Sequence, residues 1–284
     1  MTTENFNLMA IRPYESLELT DNFLFTKIMY ENTDLCKEVL ELVLQVRIGR
    51  LVSLQYERTM FPDRNKKGVR FDVYTEDDSR RLFDLEMQVT DEKDLPKRSR
   101  YYHSMIDIDQ TDKGEIYSNL KETYVVFICK KLKDAKDNLP VYTYRYRCEE
   151  NGASLGDGTT TVIVNAGGSS GNMSDGLKDF LDLIRTGKTD AGSDTLAGKL
   201  MDRVKHARLK EEWRMEYVTY EQELMYRYHK GREEGREEGL KEGREEGRNL
   251  IRLLLANGDI TEEQAKKYLA ELAYSEADTA GITI

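Results

Sequence analysis

Two short runs that alternate apolar and polar residues, Val69-Arg70-Phe71-Asp72-Val73-Tyr74 and Leu82-Phe83-Asp84-Leu85-Glu86-Met87-Gln88-Val89, constrain this chain more than anything else in it. A period of two belongs to a β-strand, in which successive side chains point to opposite faces, so each run is expected to be a half-buried strand. In the first, Val69, Phe71 and Val73 share one face and Arg70, Asp72 and Tyr74 the other. In the second, Phe83, Leu85, Met87 and Val89 oppose Leu82, Asp84, Glu86 and Gln88. The intervening Thr75-Glu76-Asp77-Asp78-Ser79-Arg80-Arg81 is rich in turn formers, which predicts an antiparallel hairpin. If the polar faces coincide, Asp72 lies directly across from Asp84 or from Glu86, with roughly 5 Å between facing side chains. Like charges held that close cost stability unless a cation bridges them.

An Asp on one strand followed by Glu-x-Gln on the next resembles the recombination-promoting nuclease and putative transposase family. That family is a branch of the PD-(D/E)XK nuclease superfamily in which Gln replaces the usual Lys. The resemblance extends to Leu19-Thr20-Asp21-Asn22-Phe23-Leu24-Phe25, to Arg98-Ser99-Arg100-Tyr101-Tyr102, to Tyr124-Val125-Val126-Phe127-Ile128-Cys129 and to a late Gly-Arg-Glu-Glu repeat. It implies an α/β, restriction-endonuclease-like core, a mixed sheet flanked by helices with the acids at one edge. It also implies hydrolysis of DNA phosphodiesters. Asp72, Glu86 and Gln88 would be the catalytic residues. Mg²⁺ (or Mn²⁺) would be held by Asp72, Glu86 and the Met87 backbone carbonyl, with an acid of the first helix, Asp21, as a further ligand. Gln88 can orient water or bond a phosphate oxygen but supplies no positive charge, so the chemistry would either be weaker or lean on Arg98 or Arg100. Asp84 is a possible extra ligand, read by default as a surface acid. The alternative is a silent nuclease-fold protein that binds DNA or a partner without cutting.

The formal net charge of -10 works against nucleic-acid binding, since Lys and Arg supply most non-specific affinity for phosphates. Local charge runs the other way. Arg64, Lys66, Lys67 and Arg70 precede and enter the first strand, while Lys97, Arg98 and Arg100 follow the second. These two basic patches bracket the acids and are the expected DNA contacts, each also readable as a solvated face. Cys36, Cys129 and Cys148 lie far apart with no CxxC, so each is expected to be a small core residue, and any metal to be oxygen-ligated. No run approaches the roughly 18 apolar residues of a membrane span, and the first residues lack a signal-peptide pattern. The expectation is a cytoplasmic protein without membrane contact.

Helices are expected over 21–30, capped by Thr20, over 35–45, and over 95–110 with Pro96 in the first turn. Strands are expected over 48–58, 122–129, 141–148 and 159–165. The glycine-bearing stretch 166–172 lacks the Gly-Lys-Ser/Thr ending of a phosphate loop. Helix resumes near Asp175 and again over 196–230. Glycines at 231, 235, 239, 243 and 247 each cost roughly 0.8–1 kcal/mol in a helix, more than the flanking Glu–Arg pairs return, so this segment reads as a marginal helix. It is either a solvated linker or an arm through which the chain forms a homo-oligomer. A terminal helical pair follows, with Asn257-Gly258 as the stop and Thr261 as the cap. The expected organisation is a mobile tail over 1–18, a nuclease-like domain over 19–230 and an arm over 231–284.

Overall fold

The computed structural model describes residues 12–62, 66–90, 93–133 and 135–279. Arg64, nominated above as a DNA contact, lies outside them, as does most of the N-terminal tail. The chain divides into two compact units between Tyr217 and Val218.

In the first unit, α1 (Asn22–Glu31) and α2 (Thr33–Leu44) lead into β1 (Leu51–Met60), β2 (Val69–Asp77) and β3 (Leu82–Gln88). Then come α3 (Leu95–Gln110), β4 (Thr123–Cys129), β5 (Val141–Tyr144), β6 (Thr159–Asn165), α4 (Asp175–Thr186) and α5 (Leu196–Ala207). The six strands form one mixed sheet in the order β1-β2-β3-β4-β6-β5. The pairs β1–β2, β2–β3 and β5–β6 run antiparallel, whereas β3–β4 and β4–β6 run parallel.

The alternating runs are indeed the hairpin β2–β3, with Val73 facing Leu85 and Tyr74 facing Asp84. Its turn is tighter than the polar run suggested. Asp77 accepts hydrogen bonds from the Ser79 and Arg81 N–H groups at 3.0 and 2.9 Å, pairs with the Arg81 guanidinium at 2.7 Å, and leaves only Arg80 with a left-handed φ of 63°.

Two expectations need correction. β2 and β3 are not half-buried: every residue of β3 is buried, and so are Asp72 and Tyr74 on the nominal polar side of β2. The acids also lie on the second and third strands of the sheet, not along its edge. The reason is topological. The parallel β3–β4 pairing requires a crossover helix, and α3 returns over β4 while α1 covers β1 and β2, closing both faces.

Strict alternation also fails around Asp72. Phe71 and Tyr74, an odd number of residues apart, both pack into the apolar cluster formed with Tyr102, Ile106, Val125 and Phe127. Phe71 meets Tyr102 edge-on at 5.2 Å between ring centroids. On β1, Glu57 falls between the Tyr56–Val73 and Arg58–Phe71 pairs and carries a left-handed φ of 50°, so the β1 backbone leaves extended geometry opposite Asp72.

The helix α3 matches its expected span. It buries Leu95, Tyr102, Met105 and Ile106 at helical spacing, and Pro96 sits in the first turn where no N–H is missed. The expected strand over 141–148 stops at Tyr144, and Cys148 is exposed, whereas Cys36 and Cys129 are core residues.

The second unit is helical. The helix α6 (Glu211–Asn257) enters it and runs unbroken through the glycines. It stops at Gly258, whose φ of +78° suits a residue without Cβ. In α7 (Glu262–Thr279), Thr261 Oγ1 accepts the Gln264 N–H at 3.2 Å and Gln264 Oε1 accepts the Thr261 N–H at 2.8 Å, a reciprocal cap. A Cβ added at Gly247 would lie 3.4 Å from the Leu272 side chain, an ordinary contact, while the space beside Gly231, Gly235, Gly239 and Gly243 is open.

Candidate active site

Three acids meet where β2 and β3 part. The backbone ladder runs from Glu76–Leu82 to Val73–Leu85. One step further on, side chains replace it. Glu86 Oε1 accepts the Asp72 N–H at 2.9 Å, and Asp72 Oδ2 accepts the Met87 N–H at 3.1 Å. Each carboxylate thus caps the opposing strand, which fixes both side chains without tying up all their oxygens. Asp84, on the same face of β3 as Glu86, lies against it and within electrostatic reach of Asp72.

Asp84 corrects the sequence reading most sharply. It is fully buried, and in the ionised form neither carboxylate oxygen has a hydrogen-bond donor; the Glu86 carboxyl beside it shares a hydrogen bond with it only when one of the two acids is protonated. Asn22, at the start of α1, hydrogen-bonds Asp72 through its side chain, and its own Oδ1 is a further buried oxygen without a partner. Buried acceptors left unsatisfied are rare and costly, and carboxylates more so. A hard divalent cation binds oxygen ligands of this kind, although among the described residues no three acid, histidine or cysteine side chains already stand in a metal-holding arrangement, so the carboxylates would have to close around it.

Asp21 is placed elsewhere. Its Oδ1 pairs with Arg12 at 2.7 Å and its Oδ2 accepts the Glu18 N–H at 2.6 Å, so its neighbour Asn22 is the residue that reaches Asp72.

The cation that Gln88 does not supply arrives from α3. Arg98 Nη1 donates to Gln88 Oε1 at 3.0 Å and Nη2 to the Tyr102 hydroxyl at 3.1 Å, and Nη2 lies 3.5 Å from Glu86 Oε2. Its guanidinium stacks over the Tyr102 and Phe127 rings, 5.4 Å from each centroid. Gln88 Nε2 lies 3.5 Å from the same Glu86 oxygen, so Gln88 joins Glu86 to Arg98.

The other nominated cations are less enclosed. Lys66, Lys67, Lys97 and Arg100 are exposed, and Arg70 is half-buried and acts electrostatically on Asp72.

Burial dominates the acid–base chemistry. It pushes Asp72 up to about 6, against the Met87 N–H, Asn22 and Arg70. It pushes Glu86 up to about 8, reinforced by the charge of Asp72 and opposed by its bond to the Asp72 N–H and by Arg98. Asp84 rises well above the ordinary carboxylate range through burial and then the charges of Glu86 and Asp72.

A family model described as PD-(D/E)XK nuclease family transposase matches residues 21–165, just over half of the chain. This chain belongs to that family. The match begins at the cap of α1 and ends with β6, so it takes in the whole sheet, all three acids, Asn22 and Arg98. No curated protein and no solved structure matches the chain. Within this PD-(D/E)XK chain, Asp72 and the Glu86-Met87-Gln88 run lie side by side on β2 and β3, and the geometry adds Asn22 and a buried Asp84 beside them. No helix among the described residues is long and apolar enough to cross a membrane.

The raised acids fix the direction of a pH effect. A carboxyl whose folded pKa exceeds its unfolded value of roughly 4 favours folding while protonated, and that contribution is lost as pH rises through the folded value. The metal-free protein is therefore expected to lose stability as pH rises from about 5 to about 9. A divalent cation held by these acids would bind their ionised forms, so a gain in melting temperature from Mg²⁺ would widen over the same range, by on the order of 5–10 °C. Melting curves with Mg²⁺ or chelator across that range check this. A gain that stays constant or shrinks as pH rises would contradict it.

Proposed function

We propose that this protein hydrolyses phosphodiester bonds in DNA with the help of Mg²⁺ or Mn²⁺ held by Asp72, Asp84 and Glu86. The observation that carries the proposal is the unpartnered carboxylate of Asp84, buried against two further acids. Asn22 Oδ1 and the Met87 carbonyl are the proposed additional oxygen ligands. Such a cation, once bound, acidifies a water and offsets charge developing on the scissile phosphate.

The chain's own groups do the rest. The paired N–H bonds of Asp72 and Met87 hold the Glu86 and Asp72 carboxylates in place before substrate arrives. Gln88 orients Arg98, and Arg98, charged at any working pH, provides the positive charge that this family's glutamine lacks. Lys66, Lys67, Arg70, Lys97 and Arg100 are the proposed phosphate contacts around the site, with Arg64 beside them in sequence.

Incubating the purified protein with single-stranded and duplex DNA in Mg²⁺, in Mn²⁺ and in chelator tests this reading, beside Asp72→Ala. Cleavage that needs the cation and disappears in the variant is the expected result. Absence of cleavage with either cation, or equal cleavage by both proteins, would overturn it.

A further inference from the structure

Along α3 the acids occupy one flank only. The helix lies over β4, with β2 and β3 to one side and β6 and β5 to the other. On that second side a cleft of about 470 Å³ opens between the first turns of α3 and the β5–β6 edge. Its volume falls within the roughly 300–1,000 Å³ of small-ligand sites.

Three cations line it, Lys97 and Arg100 from α3 and Arg145 just beyond β5, and they outnumber the one acid at its margin, Asp157, which accepts a hydrogen bond from the lining Thr159 and acts electrostatically on His103. In a chain of net charge -10, that local excess favours an anionic ligand. Two aromatic residues share the wall. Tyr144 and Tyr146, two positions apart along one extended stretch, are 54% and 56% exposed. Core packing therefore does not account for them. Arg145 is steadied by donating from Nε to Thr160 Oγ1 at 3.1 Å. His103, also in the wall, bonds Thr123 and Thr161 through its two ring nitrogens, and burial holds it down at about 4, so it adds no charge near neutral pH.

Cations beside open aromatic faces are what a single-stranded polynucleotide needs, phosphates meeting the cations while unpaired bases stack on the rings. A duplex keeps its bases stacked on one another and cannot use the tyrosines. The α3 residues on either side of Arg98 line this cleft, while Arg98 itself turns to Glu86 and Gln88. One strand can thus lie across the helix start and present its backbone to the acids.

We infer that this cleft binds unpaired nucleotides of the DNA substrate, stacking bases on Tyr144 and Tyr146 and meeting phosphates with Lys97, Arg100 and Arg145. The inference deepens the nuclease reading of the acid cluster and rests on it for the identity of the strand as substrate.

Fluorescence anisotropy with a labelled short oligothymidylate, in chelator so that nothing is cut, provides the test. The double variant Tyr144→Ala/Tyr146→Ala should bind the single strand about tenfold or more weakly, while Tyr144→Phe/Tyr146→Phe, which keeps both rings, binds as wild type. Both variants should retain the Mn²⁺-dependent gain in melting temperature, which reports on the acids and on folding. An alanine pair that binds as tightly as wild type overturns the inference, as does a phenylalanine pair that binds no better than the alanine pair. If metal-dependent cleavage stands while the alanine pair binds normally, only the cleft assignment falls. If the stacking effect is found but cleavage fails in every cation, the nuclease reading falls and the cleft no longer counts as a substrate site.

Discussion

Asp84→Asn is expected to raise the melting temperature of the metal-free protein and to reduce cation-dependent cleavage by about 10³-fold or more. The two effects share one cause. Asp84 is fully buried, without a donor for either oxygen in the ionised form, and faces the charge of Glu86. Removing its charge relieves desolvation and repulsion, and the new amide can donate to Glu86 in the space the carboxylate occupied. The same exchange removes a ligand from the proposed cation site. Thermal unfolding in chelator and initial cleavage rates in Mg²⁺ read the two effects separately. A destabilised variant with full activity would make Asp84 a structural acid.

Arg98→Met should lower cleavage by about 10²–10³-fold, the scale on which fixed electrostatic stabilisation acts. Methionine keeps much of the aliphatic bulk beside Tyr102 and Phe127 but loses the charge and the bonds to Gln88 and Glu86. If Arg98 stands in for the positive charge absent at position 88, then Gln88→Lys in the Arg98→Met background should recover at least about tenfold. In the wild-type background the same lysine would crowd Arg98, whose Nη1 lies 3.0 Å from Gln88 Oε1, and should not help. Rates for the two single variants and the double variant check this. A double variant no faster than Arg98→Met would show that Arg98 does not act through charge at this position.

Much of this arrangement was legible in the sequence because local rules and tertiary structure agree. The β2–β3 hairpin follows from alternation and turn residues, the α3 span from Pro96 and its apolar stripe, and β6 from its β-branched run. What escaped was long-range. Asp84 shares parity with Glu86 and Gln88, and parity alone says only that the three face the same way. Whether that face meets water depends on β3 being an interior strand, which depends on α3 returning over a parallel β4. A polar trio on one face of a strand that precedes a crossover helix was the available signal. Asn22 was hidden by Asp21 beside it, an acid already satisfied by Arg12 and Glu18. Arg98 sat in a run of cations that the sequence could not sort. Helical geometry sorts it, turning Arg98 towards Tyr102 one turn later and Lys97 and Arg100 towards the cleft.

Calorimetric titration of the metal-free protein with Mn²⁺ near pH 8 tests whether Asp72, Asp84 and Glu86 form a divalent-cation site. Saturable binding is expected in the wild-type protein, accompanied by proton release as the raised acids ionise, with that binding lost in Asp84→Asn. A wild-type protein that binds no Mn²⁺, or an Asp84→Asn variant that binds it equally well, would rule the site out.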